Sequence, residues 1–367
     1  MKITAIRIHL LENTERLQMT GYKGGIQKDI VLCEVQTADG FTGFNSAWVP
    51  RHSVRTLGFA ARDAARVAIG ADADFIEDIW QRNWHATRQT LHLMGPGLLD
   101  TAIWDARAKA AGKPLAAHLG GHRTRIMAYA STFELPTVEA YVDACCGYVE
   151  QGFRAVKLHP YGDVTRDLKL YRAVRDALPE TILMTDCVGM HDRTDAMRIG
   201  KLLEELDYHW YEEPLPDGDL AGYADLARNL SIPVAGVDST RLGLGQYAQY
   251  IAAGAFDIVR ADAGRQGISF CRKVATVAEA FSLNFEPHGY GPGLTQAANL
   301  HLGAAIRNCQ FFEMPVPIGS MDIEVASGIG LDREGFVSLP AGPGLGLEVD
   351  WDKVKALTTD CLDVRAD

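Results

Sequence analysis

Short apolar runs recur along the chain after residue 122, and each leads into an ionisable side chain. The runs are residues 126–130, 155–158, 181–184, 209–211, 233–237, 256–259, 282–285 and 311–312, and amphipathic stretches such as 138–150, 168–177, 194–205 and 267–280 separate them. Strands alternating with helices imply parallel strands joined by crossover helices, and eight such strands close a barrel. The polar residues at the run ends are Lys157 and His159, then Asp186, Glu212, Asp238, Asp262, His288 and Glu313. From Asp186 onward they stand 24–26 residues apart, one strand–helix unit at a time. The C-terminal strand ends of a barrel share one mouth, where active sites of such folds lie. One acid at a strand end is ordinary surface chemistry. Recurrence through successive units predicts a catalytic mouth.

The first 122 residues have a different texture. Residues 3–10 alternate like a strand, and residues 31–35 and 43–44 flank the turn Ala38-Asp39-Gly40, a hairpin signal. A Gly-rich stretch, residues 19–25, is expected to form a loop between them. Residues 53–120 carry helical spacing, with Leu99, Ala102, Ile103 and Ala106 on one face and a helix stop at Gly112-Lys113-Pro114. This part reads as α+β. The change of texture places a boundary near residue 122.

Composition removes several function classes. With 36 Lys and Arg against 47 Asp and Glu, the net charge is −11, which argues against nucleic acid as a partner. No apolar run reaches the ~20 residues of a membrane span. Lys2, Arg7 and Glu12 interrupt any signal-peptide core at the start. The seven cysteines lack CxxC spacing and read as reduced thiols, so a cytoplasmic location is expected.

Asp186, Glu212 and Asp238 come from three adjacent units. Three converging carboxylates would repel one another unless a divalent cation joined them, and oxygen-only ligands select Mg²⁺, Mn²⁺ or Ca²⁺. Glu213 competes with Glu212, since strand alternation is expected to turn only one of them inward. Period two aims both Lys157 and His159 into the barrel. Asp262 and His288 sit one unit apart. A carboxylate bonded to imidazole fixes its tautomer and raises its basicity. Glu313, if protonated, could donate a hydrogen bond to a developing oxyanion. A metal and a lysine that bind a substrate carboxylate, with a base beside the adjacent carbon, point to proton abstraction giving an enediolate.

These residues and motifs resemble the mandelate racemase/muconate lactonizing enzyme subgroup of the enolase superfamily. The likeness covers nearly the whole chain and rests on the helix from Gly97 to Pro114, Tyr211-Glu212-Glu213-Pro214-Leu215, Arg260-Ala261-Asp262, Glu286-Pro287-His288-Gly289 and Glu313. It implies an α/β fold, a modified TIM barrel of the (β/α)₇β type with an α+β capping domain formed by the N-terminal part and the C-terminal tail: 1–122 for the N-terminal part of the capping domain, 123–317 for the barrel and 318–367 for a C-terminal segment that returns to the cap. It implies Mg²⁺ as cofactor, with Mn²⁺ as a substitute, held by Asp186, Glu212 and Asp238. Lys157 matches the lysine that touches the substrate carboxylate, Asp262 and His288 match the subgroup's dyad, and Glu313 matches its electrophilic acid. Three positions depart from the subgroup. His159 replaces the second lysine of Lys-x-Lys, Val188 replaces the amide of Asp-x-Asn, and the third ligand is Asp238 in place of the usual Glu.

The subgroup's common activity is dehydration of acid sugars to 2-keto-3-deoxy acids, so the resemblance implies a hydro-lyase. A racemase or epimerase, a lactone cycloisomerase and a non-catalytic ligand-binding relative are the alternatives. An aldolase-type Schiff base on Lys157 is argued against by the three carboxylates. Specificity is expected from Tyr22 and Lys23 in the Gly-rich stretch and from Trp48, Arg51 and His52 after the hairpin. The expected partner is a small carboxylic acid, and family habit implies a homo-oligomer.

Overall fold

The computed structural model describes residues 1–19, 22–49, 53–87, 94–238 and 242–366, with the side chains of Met19, Tyr22 and Lys23 outside the described part. The N-terminal region holds β1 (Ile3–Leu11), β2 (Arg16–Met19), β3 (Tyr22–Gln27), β4 (Ile30–Thr37) and β5 (Thr42–Trp48), followed by helices α1 (Val54–Ala68), α2 (Ile76–Thr87), α3 (Met94–Ala110) and α4 (Leu115–His118). Of the expected Gly-rich loop, residues 22–25 instead belong to β3, which pairs antiparallel with β2, and Gly24 and Gly25 adopt positive φ there.

The barrel alternates strands and helices without a break. Its elements are β6 (Arg125–Ser131), α5 (Val138–Glu150), β7 (Ala155–Leu158), α6 (Val164–Ala177), β8 (Ile182–Asp186), α7 (Arg193–Glu205), β9 (Trp210–Glu212), α8 (Leu220–Asn229), β10 (Val234–Gly236), α9 (Leu244–Ala252), β11 (Ile258–Val259), α10 (Ile268–Ala280), β12 (Asn284–Phe285), α11 (Gly293–Ala305) and β13 (Phe311–Pro315). The strands run parallel in the order β12-β11-β10-β9-β8-β7-β6-β13. No ladder joins β12 to β13 among the described residues. The gap is bridged by Phe285 N–H on Asn308 O at 2.7 Å, and by the Glu286 carboxylate, which accepts from the N–H groups of Gln310 and Phe311 at 2.9 and 3.0 Å. Thr137, Asp163, Asp192 and Asp219 cap the N-termini of α5, α6, α7 and α8 with their side-chain oxygens.

The chain then makes β14 (Phe336–Ser338), α12 (Trp351–Leu357) and β15 (Thr358–Arg365). Strand β15 pairs antiparallel with β1 in the sheet β15-β1-β4-β5, so the end of the chain joins the N-terminal sheet. The Gly/Pro loop around residue 344 docks on the end of α3, where Leu345 N–H reaches Asp105 at 2.7 Å. No helix among the described residues is long and apolar enough to cross a membrane.

Helix α3 is buried on almost every side because it is shared between the N-terminal sheet and the barrel. Small residues allow this. A Cβ on Gly43 would lie 2.0 Å from the Ala102 carbonyl, so β5 and α3 touch backbone to backbone. A Cβ on Gly97 would lie 2.2 Å from the carbonyl of Arg265, so α3 meets the segment between β11 and α10 equally closely. Polar contacts lock that face. Thr101 Oγ1 donates to Ala263 O at 2.6 Å, Asn45 Nδ2 donates to Gly264 O at 3.0 Å, and Ser269 donates to both oxygens of Asp100.

Two predictions follow from this interface. Gly97→Ala forces α3 off residues 265–266, and overpacking of this kind costs about 1–3 kcal/mol. Thermal melting of the variant should show the loss, and an unchanged melting temperature would mean that the contact relaxes freely. Burial pushes the Asp100 carboxyl up to about 6, against the two hydrogen bonds from Ser269. The raised value means the fold prefers the neutral acid. That contribution is complete below about pH 4 and is lost as pH rises through about 6. Asn at this position keeps both contacts with Ser269 and carries no charge. The melting temperature of Asp100→Asn should therefore gain on the parent as pH rises from 4 to 7, by about 2–3 kcal/mol in stability. A difference that does not vary with pH would show that Asp100 ionises in the fold as it does in the unfolded chain.

Candidate active site

Period-two alternation builds the barrel interior in layers. The lowest is apolar, with Tyr129, Ala155, Met184, Trp210, Ala235, Ile258 and Phe311 packed together. Two residues further along, the same strands present Ser131, Lys157, Asp186, Glu212, Arg260 and Glu313, all buried. Lys157 Nζ lies 2.7 Å from Glu313 Oε1 and 2.9 Å from Glu212 Oε2, with Asp186 Oδ2 at 3.4 Å. Arg260 stands across from it. Its Nη2 donates to Glu313 at 2.8 Å, its Nη1 donates to the Tyr129 hydroxyl at 3.2 Å, and its Nε is 2.7 Å from Glu212 Oε1. Burial works against the Lys157 charge, but Glu212 and Glu313 outweigh it and hold the ammonium well above its ordinary range.

Glu313 differs from expectation. Burial opposes its charge, yet Lys157 and Arg260 together hold its carboxyl well below the usual range. It also accepts from Ser131 Oγ at 2.8 Å and Gly289 N–H at 2.9 Å. Glu313 is therefore an ionised acceptor that anchors two cations, and the expected protonated donor is absent from this arrangement.

The uppermost layer carries the residues at the mouth. His288 Nδ1 lies 2.9 Å from Asp262 Oδ2, and Nε2 lies 3.1 Å from Asp238 Oδ2. Asp262 is fixed in turn by Asn299 Nδ2 at 2.9 Å, by Gly264 N–H at 2.7 Å and by Arg265 Nε at 3.2 Å. Burial opposes protonation of His288, but the Asp238 and Asp262 carboxylates prevail and raise its basicity. The expected dyad is thus formed. On the other side His159 Nε2 lies 3.3 Å from Asp186 Oδ2, while its Nδ1 is buried with no hydrogen-bond partner among the described residues. Burial opposes ionisation of Asp186, and Lys157 and His159 nonetheless hold its carboxyl well below the usual range.

Alternation breaks at Glu213, which sits at φ 42° just past β9. The left-handed turn brings this side chain into the mouth as well, where Oε1 accepts from Asp238 N–H at 3.0 Å. Both acids of the Glu-Glu-Pro segment therefore face inward, against the expectation of one. Burial and the neighbouring Asp238 and Asp186 carboxylates push the Glu213 carboxyl well above its ordinary range.

The expected metal ligands reach three neighbouring strand ends but do not form a cage. Among the described residues no three His, Cys, Asp or Glu side chains stand together so as to hold an ion, because Glu212 is turned towards Lys157 and Arg260. The chemistry of the site nonetheless fits a divalent cation. Glu212 Oε1 is buried and accepts no hydrogen bond, since Arg260 Nε approaches it outside hydrogen-bond geometry. Six carboxylates, Asp186, Glu212, Glu213, Asp238, Asp262 and Glu313, face three fixed cations, Lys157, Arg260 and Arg265. All donors of the expected set are oxygens.

Of the expected substrate contacts, Trp48 is buried and its Nε1 donates to Gln27 O at 2.9 Å. Its ring lies 6.0 Å from that of Tyr290, which packs edge-on at 5.8 Å against His159, so Trp48 belongs to the wall of the mouth. Tyr22 and Lys23 contribute backbone to β3, with their side chains outside the described part. Arg51 and His52 lie outside the described residues. Sequence alone assigns no role to Arg260, Arg265, Asn299 or Tyr290, and sets Glu213 only as a competitor of Glu212. Arg260 had a signal, since it precedes Asp262 by two residues and so shares its inward face.

Comparison with known proteins identifies the family. Residues 5–120 match the mandelate racemase/muconate lactonizing enzyme N-terminal domain, and residues 140–353 match the enolase C-terminal domain-like family. The D-galactarolactone cycloisomerase of Agrobacterium fabrum is 31% identical, over 96% of this chain and 97% of its own. The L-talarate/galactarate dehydratase of Salmonella typhimurium is 29% identical over 82% of this chain and 77% of its own. Among solved structures, the D-glucarate dehydratase of Agrobacterium tumefaciens complexed with magnesium superposes with a TM-score of 0.87 at 30% identity, covering 98% of this chain and 100% of that one. The chain belongs to the mandelate racemase/muconate lactonizing enzyme family of the enolase superfamily.

Proposed function

We propose that this protein removes the proton beside the carboxylate of an acid sugar and expels the neighbouring hydroxyl as water, giving a 2-keto-3-deoxy acid. The observation that carries this reading is the Asp262–His288 pair at the mouth. Asp262 is buried and held by Asn299 and Gly264 N–H, and it bonds His288 Nδ1. Nε2, which faces Asp238 here, is therefore the nitrogen turned to the mouth, and it becomes the reactive one once Asp238 turns to the metal. A base fixed in this way needs no reorientation when the proton leaves the substrate. Nε2 takes the proton, and the electrons of the broken C–H bond pass into the enediolate. The hydroxyl on the next carbon then departs as water, with a proton returned by His288 or supplied by His159, and the enol tautomerises to the ketone. The dehydratases among the relatives support this choice of substrate class.

Asp186, Glu212 and Asp238 are the residues that would hold Mg²⁺. The ion supplies Lewis-acid polarisation of the substrate carboxylate when bound. Lys157 adds a fixed positive charge beneath the same place. Mg²⁺ should therefore raise the melting temperature in a saturable way, by about 2.7 kcal/mol at a hundredfold excess over its dissociation constant. Glu212→Gln should abolish that rise. A melting curve indifferent to Mg²⁺ would remove the metal from the reading.

The decisive test is a library of aldonic, aldaric and uronic acids assayed for 2-keto acid formation, with Mg²⁺ and with EDTA. Turnover should require the metal and should fall about 10²–10⁴-fold in His288→Asn. Full activity in that variant would exclude His288 as the base. The cycloisomerase among the relatives favours a second reading at the same site. In that case a sugar lactone gives an isomer without loss of water, and deuterium from D₂O enters beside the carboxylate.

A further inference from the structure

Arg260 is a fully buried guanidinium that touches a carboxylate of the expected metal-ligand set. Its Nε is 2.7 Å from Glu212 Oε1, its Nη2 is 2.8 Å from Glu313, and its Nη1 is 3.2 Å from the Tyr129 hydroxyl. The Trp210 ring centre lies 5.8 Å from the guanidinium carbon, and both side chains are fully buried. Lys157 already lies against the same two glutamates. Glu212 and Glu313 therefore each face two cationic side chains of the barrel itself. The contact between Arg260 and Glu212 lacks hydrogen-bond geometry, so it acts through charge and proximity.

We propose that Arg260 is a resident counter-cation that competes electrostatically with the divalent metal for Glu212 and so sets a weak metal affinity. This inference rests on the metal reading given above. A unit charge that touches a ligand carboxylate stands within a few ångströms of an ion on that carboxylate. Repulsion between them is only partly screened in a buried site. The metal must then draw Glu212 away from Arg260, while Glu313 keeps the guanidinium in place. Arg260 is thus a positioning residue that acts on the metal through Glu212.

The test is Mn²⁺ binding to the substrate-free protein, followed by electron paramagnetic resonance of the free ion. Arg260→Gln removes the charge and keeps donors for Glu212 and Glu313. It should bind Mn²⁺ at least tenfold more tightly than the parent. Arg260→Lys keeps the charge and should stay within about threefold of the parent. Circular dichroism and thermal melting establish that each variant is folded. If Arg260→Gln does not fold, Arg260→Met takes its place with the same expectation. Equal or weaker binding by the neutral variant overturns the proposal while leaving the metal reading intact. Tight binding by Arg260→Lys also overturns it, since shape and not charge would then be responsible. If the parent binds no Mn²⁺ at all, the metal reading and this proposal both fall.

Discussion

Two buried cations and two buried carboxylates, Lys157 and Arg260 with Glu212 and Glu313, form the layer on which the rest of the barrel depends. Taking each charge out of water costs several kcal/mol, and mutual attraction repays this only when the geometry is complete. Here Ser131 Oγ and Gly289 N–H take up lone pairs of Glu313 that the cations leave over. The four residues come from β7, β9, β13 and the end of β11, so their contacts span the barrel cross-section. An apolar layer lies below and the mouth with its two histidines above. Such a cluster adds little net stability, but it specifies which strands face one another. Loss of a single member would strand a buried charge, at a cost of about 3–5 kcal/mol.

The second constraint is helix α3, which ties the N-terminal sheet to the mouth. The backbone of residues 263–269 receives Thr101, Asn45 and Asp100 from one side. The same segment begins at Asp262 and includes Arg265, which reach His288 and Asp238 on the other side. The position of the dyad is therefore set partly by a helix outside the barrel. Trp48 makes a related link. It is pinned by Gln27 O and placed against Tyr290, whose ring packs on His159. A rearrangement of the N-terminal sheet would thus be felt at both histidines.

The barrel was legible because its signal is periodic. Each apolar run became a strand and each amphipathic stretch a helix, and helix α5 falls on the expected 138–150. The Asp262–His288 pair was legible for the same reason, since strand-end residues one unit apart become neighbours. Other features depend on contacts that a pattern does not carry. Glu213 enters the mouth through a left-handed backbone angle, which breaks the alternation used to exclude it. Glu313 is ionised because two cations converge on it, and one of them, Arg260, stood in the sequence as an ordinary residue of a strand end. Residues 22–25 of the Gly-rich stretch are strand because β3 pairs with β2, where Leu17 and Ile26 are buried cross-strand partners, an arrangement that composition alone conceals.

The histidine at 159 changes the chemistry available on its side of the mouth. A lysine there would present one ammonium, whereas an imidazole presents two distinct ring nitrogens. His159 Nε2 already faces Asp186, and Nδ1 has no partner among the described residues, so the ring is held from one edge only. His288 is held from both edges, with Asp262 on Nδ1 and Asp238 beside Nε2. The two rings are therefore unequal. Racemisation asks for bases of comparable strength on opposite faces of one carbon, while elimination asks for a fixed base and a separate acid. An imidazole bracketed by carboxylates and a second one with a free edge match the demands of elimination better than those of racemisation.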